Sequence, residues 1–169
     1  MARAYVFRDI ARVAEFRGMP LSWPTPDPVL MSFETGEVPS DQPYIYRLTR
    51  LGVAAARHGK GLPFVAAMSG EIFGGRPGWD DGDRMARVAA RVGLDLAVLD
   101  AEIIADPADF DAEIAANNDA HRAAGHWGVP LMVLEGEPFF GQDRIDVLEW
   151  RLRFESMAVG RRRPSELLL

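Results

Sequence analysis

Trp127-Gly128-Val129-Pro130-Leu131-Met132-Val133-Leu134-Glu135-Gly136-Glu137-Pro138-Phe139-Phe140-Gly141-Gln142-Asp143-Arg144 is the stretch that decides the fold. It reads as a Gly-Val-Pro turn, a short apolar strand over 131–135, a tight turn around Gly136, a second strand over 137–140, and then a helix from about Gln142. A cis X-Pro bond at the first turn would send the preceding backbone N–H and C=O outward, where an extended peptide can pair with them. A trans Val-Pro entering a strand is the commoner geometry for any single proline. The residues alone admit both.

The string resembles the C-terminal half of the 2-hydroxychromene-2-carboxylate isomerase and kappa-class glutathione transferase family, a branch of the DsbA-like thioredoxin superfamily. Members carry a similar Gly-Val-Pro, strand, Asp/Glu-Gly turn, strand and Phe/Trp-Gly-Gln/Ser-Asp-Arg order, matched here up to Phe140-Gly141-Gln142-Asp143-Arg144. Upstream, Ala4-Tyr5-Val6-Phe7-Arg8-Asp9-Ile10 and Gly18-Met19-Pro20-Leu21-Ser22-Trp23-Pro24 are similar to the family's Tyr-x-x-x-Asp helix and the segment after it. The resemblance runs over about residues 3–155.

It implies an α/β fold: a single DsbA-like thioredoxin domain over 1–155, with a helical insertion over about 41–126, a thioredoxin C-terminal half over 127–155, and a mobile tail over 156–169. It also implies that Val129-Pro130 is cis. In the family a strand, a helix and a second strand precede the helix on which Met1 falls, and they carry the catalytic Ser or Cys. The expectation is therefore an N-terminally truncated, mostly helical chain with a C-terminal β-hairpin and helix, and the catalytic residue is unknown.

The cofactor implied by the resemblance is glutathione. The family pairs the tripeptide's cysteinyl backbone with the residue before the cis-proline, here Val129 beside Pro130. It holds the γ-glutamyl amine with the Asp of the Gly-Gln/Ser-Asp motif, here Asp143 beside Gln142. Free N–H groups at a helix start suit the γ-glutamyl carboxylate, and Asp143 supplies the opposite charge for the amine. An ordinary first-turn acid favoured by the helix dipole explains the same Asp143. Arg144 can pair with Asp143 or Asp146, or reach a substrate carboxylate. Asp9 matches the family's helix aspartate. Where members carry a lysine that meets a carboxylate, this chain has Ala2, so that role does not carry over.

Composition narrows the classes. The 169 residues carry a net charge of −6, which argues against a general nucleic-acid binder. There is no cysteine, so this chain supplies neither a redox thiolate nor a disulfide or zinc-thiolate framework. No run reaches transmembrane length and no signal pattern opens the chain, which makes the cytoplasm the default compartment and a membrane partner unexpected. His58, His121 and His126 are not at metal spacing; the last two read as cations near a helix end. Asp80-Asp81-Gly82-Asp83 reads as a helix start. Gly59-Lys60-Gly61 and Gly74-Gly75 form no phosphate loop.

Periodicity places helices over 3–17, 41–58 with Ser40 as N-cap, 62–73, 79–92, 95–105, 106–124 with Pro107 in the first turn, and 142–154 with Ile145, Leu148 and Leu152 buried. Three alternating prolines make Trp23-Pro24-Thr25-Pro26-Asp27-Pro28 an extended loop. Two strands cannot bury both faces of a thioredoxin-like sheet, so an exposed apolar face or edge is expected.

Three functions follow. The first is glutathione-dependent isomerisation of a small aromatic substrate by thiolate addition, bond rotation and elimination; kappa-class relatives are dimers, so a homodimer is implied. The second is a non-catalytic binding module that offers its sheet edge to a partner. The third is a DsbA-like oxidoreductase, which would require a CxxC encoded upstream of Met1.

Overall fold

The stripe Tyr44, Leu48, Leu51, Ala55 becomes the inner face of α2 (Ile45–Arg57), and the i, i+4, i+8 series Phe64, Met68, Ile72 becomes that of α3 (Gly61–Phe73). Met85, Val88 and Ala89 line α4 (Arg84–Arg91), Leu99 and Ile103 line α5 (Leu96–Ala105), and Phe110 comes from α6 (Pro107–Ala123). Together they form one helical core in which Leu51, Phe64, Val88 and Leu99 are at most 1% exposed. Each such side chain removed from water contributes about 1.5–3 kcal/mol. The computed structural model describes residues 2–32 and 34–158. The chain forms two compact units, Met1–Ile114 and Ala115–Leu169.

In the first unit, α2 and α4 both start a full turn or more later than their apolar period predicts. Ser40 does not cap α2. Gln42, 6% exposed, instead spends its amide on the extended loop: its Oε1 accepts from the Leu30 amide, and its Nε2 donates to the Leu30 and Pro39 carbonyls. Pro43 then biases Gln42 away from helical backbone, and the helix waits until Ile45. The second delay belongs to α4, which starts at Arg84 because residues 78–83 fold into turns. There Trp79 leaves the helical register for the core. It is 1% exposed, its Nε1 donates to the Pro26 carbonyl at 2.7 Å, and its ring meets Tyr44 edge-on at 5.2 Å. The Asp80-Asp81-Gly82-Asp83 run is thus a turn ahead of the helix rather than its first residues. Asp95, which the sequence reading did not single out, caps α5 and accepts from the Ala97 amide at 2.9 Å.

Ion pairs set the register of α2 against its neighbours. Arg47 pairs with Asp100, Arg50 with Asp111, and Arg57 with Asp109 and Glu113, while the Arg57 guanidinium lies 4.2 Å over the Phe110 ring. Exposed pairs of this kind contribute little each, so their value is alignment.

In α1 (Ala2–Phe16) the apolar stripe stays open: Val6 is 50% and Ile10 45% exposed. In the second unit, β1 (Leu131–Leu134) and β2 (Glu137–Phe140) pair antiparallel with Leu131 opposite Phe140 and Leu134 opposite Glu137. Glu135 and Gly136 both take positive φ, the requirement of a type I′ turn, so β1 ends one residue earlier than the sequence predicts. A 3-10 turn over Gln142–Arg144 precedes α7 (Ile145–Ala158), so the last α-helix begins at Ile145 rather than Gln142. Its expected buried face is not buried: Ile145 is 54% and Leu152 48% exposed, and Leu148 is half-buried. A hairpin two strands wide offers too little area to cover a helix face. Arg151 on α7 reaches back to Glu137 on β2 at 2.9 Å. Residues 156–158 continue α7, and the rest of the expected tail lies outside the described residues. No helix among the described residues is long and apolar enough to cross a membrane.

Two outcomes check this packing. Trp79→Phe removes the donor to Pro26 and leaves a void, so unfolding should cost about 2 kcal/mol less. The readout is a lower urea midpoint at unchanged slope; an unmoved midpoint would show that Trp79 does not tie the loop to the core. Glu71 takes hydrogen bonds from Arg84 and Arg91, which hold its carboxyl below the ordinary value. A depressed folded pKa gives stability that is present above the unfolded carboxylate range and lost as pH falls through the folded value. The stability gap between wild type and Glu71→Gln should therefore narrow on acidification below pH ~4.5.

Candidate functional site

The loop between α6 and β1 is built around one peptide unit, that of Gly128. Its N–H donates to His126 Nδ1 at 2.9 Å, and its carbonyl accepts from His121 Nε2 at 2.8 Å. A carbonyl only accepts, so His121 carries its proton on Nε2; an amide only donates, so His126 Nδ1 is bare and its proton sits on Nε2. The His126 ring stacks on Phe140 of β2, with centroids 3.8 Å apart and planes 21° apart, and it also lies nearly parallel to Trp127. Gly128 is buried under Phe140, and a Cβ there would overlap that ring. The sequence reading took both histidines as helix-end cations and missed this role. The signal it could have used is an acceptor-bearing ring two residues before a glycine that opens a Gly-Val-Pro turn.

Next in the chain, Val129-Pro130 is cis, as the resemblance implies, and the Val129 side chain is 79% exposed. Among the described residues neither the N–H nor the C=O of Val129 has a hydrogen-bond partner. The Pro130 carbonyl accepts from the Gly141 amide at 2.9 Å. That single bond brings together the two pairs singled out in the sequence, because Val129 and Gln142 each lie one residue from it.

Gly141 holds φ at +95°, and Asp143 Oδ1 lies 2.5 Å from where a Cβ would stand. A side chain at position 141 would be strained in backbone and would push the Asp143 carboxylate away. Asp143 Oδ2 meets Arg144 at 3.0 Å, with the two side chains 70% and 54% exposed. An ion pair this exposed is worth at most about 1 kcal/mol, so an incoming ammonium can compete for the carboxylate. Of the two partners open to Arg144 in the sequence, Asp143 is the one it takes. Gln142 and Asp143 occupy the 3-10 turn, and their amides have no partner among the described residues.

Other candidates lie apart from this loop. Asp9 is taken up by Arg12 on the surface of α1 at 2.8 Å. His58 pairs with Glu102. Among the described residues no three His, Asp or Glu side chains gather as metal ligands. The first unit carries an apolar groove of about 700 Å³ lined by Phe7, Ile10, Leu21, Trp23 and Phe73, with the Phe7 and Trp23 rings edge-to-face at 5.2 Å.

Residues 2–153 match the DSBA-like thioredoxin domain. The chain belongs to this family. A solved 2-hydroxychromene-2-carboxylate isomerase superposes on 92% of the chain and 70% of its own length, with a TM-score of 0.59 and 19% identity, a likeness of fold. The uncharacterized protein Rv2286c of Mycobacterium tuberculosis is 33% identical over 110 residues, 63% of this chain. The match spans 46% of that relative's length. The hairpin with its cis-proline lies near the C-terminal end of the matched residues, and the helices over 45–123 lie upstream of it within the same match.

The clamp makes a specific prediction. His126→Phe keeps a ring over Phe140 but removes the acceptor, so the Gly128 amide should exchange with solvent about tenfold faster, the equivalent of one lost hydrogen bond. His126→Ala should add the loss of stacking, about 0.5–1.5 kcal/mol in global stability. Unchanged exchange in His126→Phe would remove the clamp from consideration.

Proposed function

We propose that this chain binds glutathione at the face formed by Val129-Pro130 and Gln142-Asp143, and that it serves a glutathione-dependent isomerase of the 2-hydroxychromene-2-carboxylate type. The observation that carries the proposal is the Pro130–Gly141 hydrogen bond, which sets an unpaired Val129 backbone beside an exposed Asp143 carboxylate. In this reading the Val129 amide and carbonyl pair with the cysteinyl residue of the tripeptide as a short strand addition. Asp143 takes the γ-glutamyl ammonium, and the bare amides of Gln142 and Asp143 take the adjoining carboxylate. A zwitterion is thereby matched at both ends.

The chemistry needs no net redox change. The thiolate adds to a conjugated double bond, a C–S bond forms, and the displaced π electrons move onto the conjugated oxygen. The former double bond rotates as a single bond. The electrons return, the C–S bond breaks, and the thiolate leaves unchanged. The protein's task is to orient the sulfur and to keep it ionised with a hydrogen-bond donor. A second reading, a binding module without turnover, draws on the outer edge of β1, which among the described residues pairs with no strand but β2.

Calorimetric titration separates them. Glutathione should bind, and Asp143→Ala should weaken it by about tenfold or more, the value of one charge-assisted contact. The dipeptide Cys-Gly lacks the γ-glutamyl group and should bind wild type and Asp143→Ala alike. Absence of glutathione binding, or equal affinity of the two proteins for glutathione, defeats the proposal. Strand-mediated complex formation without glutathione affinity would favour the binding module.

A further inference from the structure

In a chain of net charge −6, four guanidinium groups gather on one cavity of about 580 Å³ in the first unit. Arg84, Arg87 and Arg91 stand at i, i+3 and i+7 on α4, so one helical stripe presents all three. Arg76 joins them from the loop after α3, and Glu71 of α3 is the one carboxylate in the lining. The local sign is thus the reverse of the chain's, and such a concave patch concentrates anions.

Part of the positive charge is already spent. Glu71 takes Arg84 at 2.6 Å and Arg91 at 3.0 Å, and Asp83 takes Arg87. Arg84 is the anchored member: only 17% exposed, it also donates to the Pro77 and Gly78 carbonyls. Arg76 has no partner among the described residues. Four guanidinium groups face two carboxylates in this network, which leaves a formal excess of two positive charges around an open cavity. Arg87 and Arg91 are 62% and 61% exposed, so their forks can turn toward a ligand while Arg84 holds the wall.

We propose that this cavity is a binding site for a phosphate group, held by Arg76, Arg87 and Arg91 with Arg84 fixed behind them. A phosphate dianion matches the excess charge. Its tetrahedral oxygens accept several guanidinium forks at once, whereas a single carboxylate has one plane for them. The site is independent of the Val129-Asp143 face and of the isomerase reading.

The test is a titration of the full chain with inorganic phosphate and, separately, with phenyl phosphate, at ionic strength held constant with sodium chloride. The arginine Nε–H resonances are followed by NMR. Those of Arg76 and Arg87 should shift saturably, while Arg50, paired with Asp111 on α6, should stay put. The double variant Arg76→Ala/Arg87→Ala leaves the Arg84 anchor in place, and its dissociation constant should rise by about tenfold or more. A preference for the ester would assign the site to a phosphorylated small molecule, and parity would assign it to free phosphate. Shifts that never saturate, or binding that survives in a double variant with unchanged tryptophan emission, would overturn the proposal.

Discussion

A sheet of two strands, all that the described residues form, cannot sequester a core, and burial among those residues falls elsewhere. Apolar burial is carried by helices: every member of the main buried cluster lies between Leu51 and Phe110. The hairpin buries Phe139 and leaves Val133 half in water. The helices α1 and α7 carry apolar residues at helical spacing but keep them open, from Val6 and Ile10 at one end of the chain to Ile145 and Leu152 at the other. Apolar periodicity says which residues of a helix share a side; whether that side is covered depends on the area its neighbours offer.

With so little sheet to lean on, the hairpin site draws its rigidity from polar contacts along one short stretch. Two imidazoles occupy both hydrogen-bonding groups of Gly128, Phe140 closes over it, and Pro130 and Gly141 are joined across the mouth of the hairpin. A buried peptide unit that lacked either partner would cost about 1–3 kcal/mol, so the histidines stabilise the loop by satisfying it. What they leave over is the Val129 backbone, which has no hydrogen-bond partner among the described residues. A peptide-like ligand needs that arrangement, because its main chain can complete hydrogen bonds that the protein has left open.

The α3–α4 surface follows a different logic. One face of α4 is apolar through Met85, Val88 and Ala89, and the other is basic through Arg84, Arg87 and Arg91. The helix docks by the first face and must present the second. Glu71 offsets part of that charge, and the glycine-rich loop brings Arg76 to the same place. The resulting field is local, short-ranged at physiological salt, and opposite in sign to the rest of the molecule.

The sequence by itself determined the helical stripes of α2, α3 and α4, the Gly136 hairpin and the family to which the hairpin belongs, because each is a local pattern whose physics is complete within a few residues. It also foresaw an uncovered apolar face, since that follows from counting strands. The starts of α2 and α4 were decided only in the tertiary structure. Gln42 and Trp79 found partners in the proline loop at Leu30 and Pro26, worth more to them than another turn of helix. Tertiary structure likewise decided the roles of His121 and His126, because a histidine near a helix end is a cation, a ligand or an acceptor according to which backbone group is brought to it. The excess charge at the α3–α4 cavity has the same origin: Arg76 and Glu71 are distant in pattern from Arg84, Arg87 and Arg91, and only packing makes them one site.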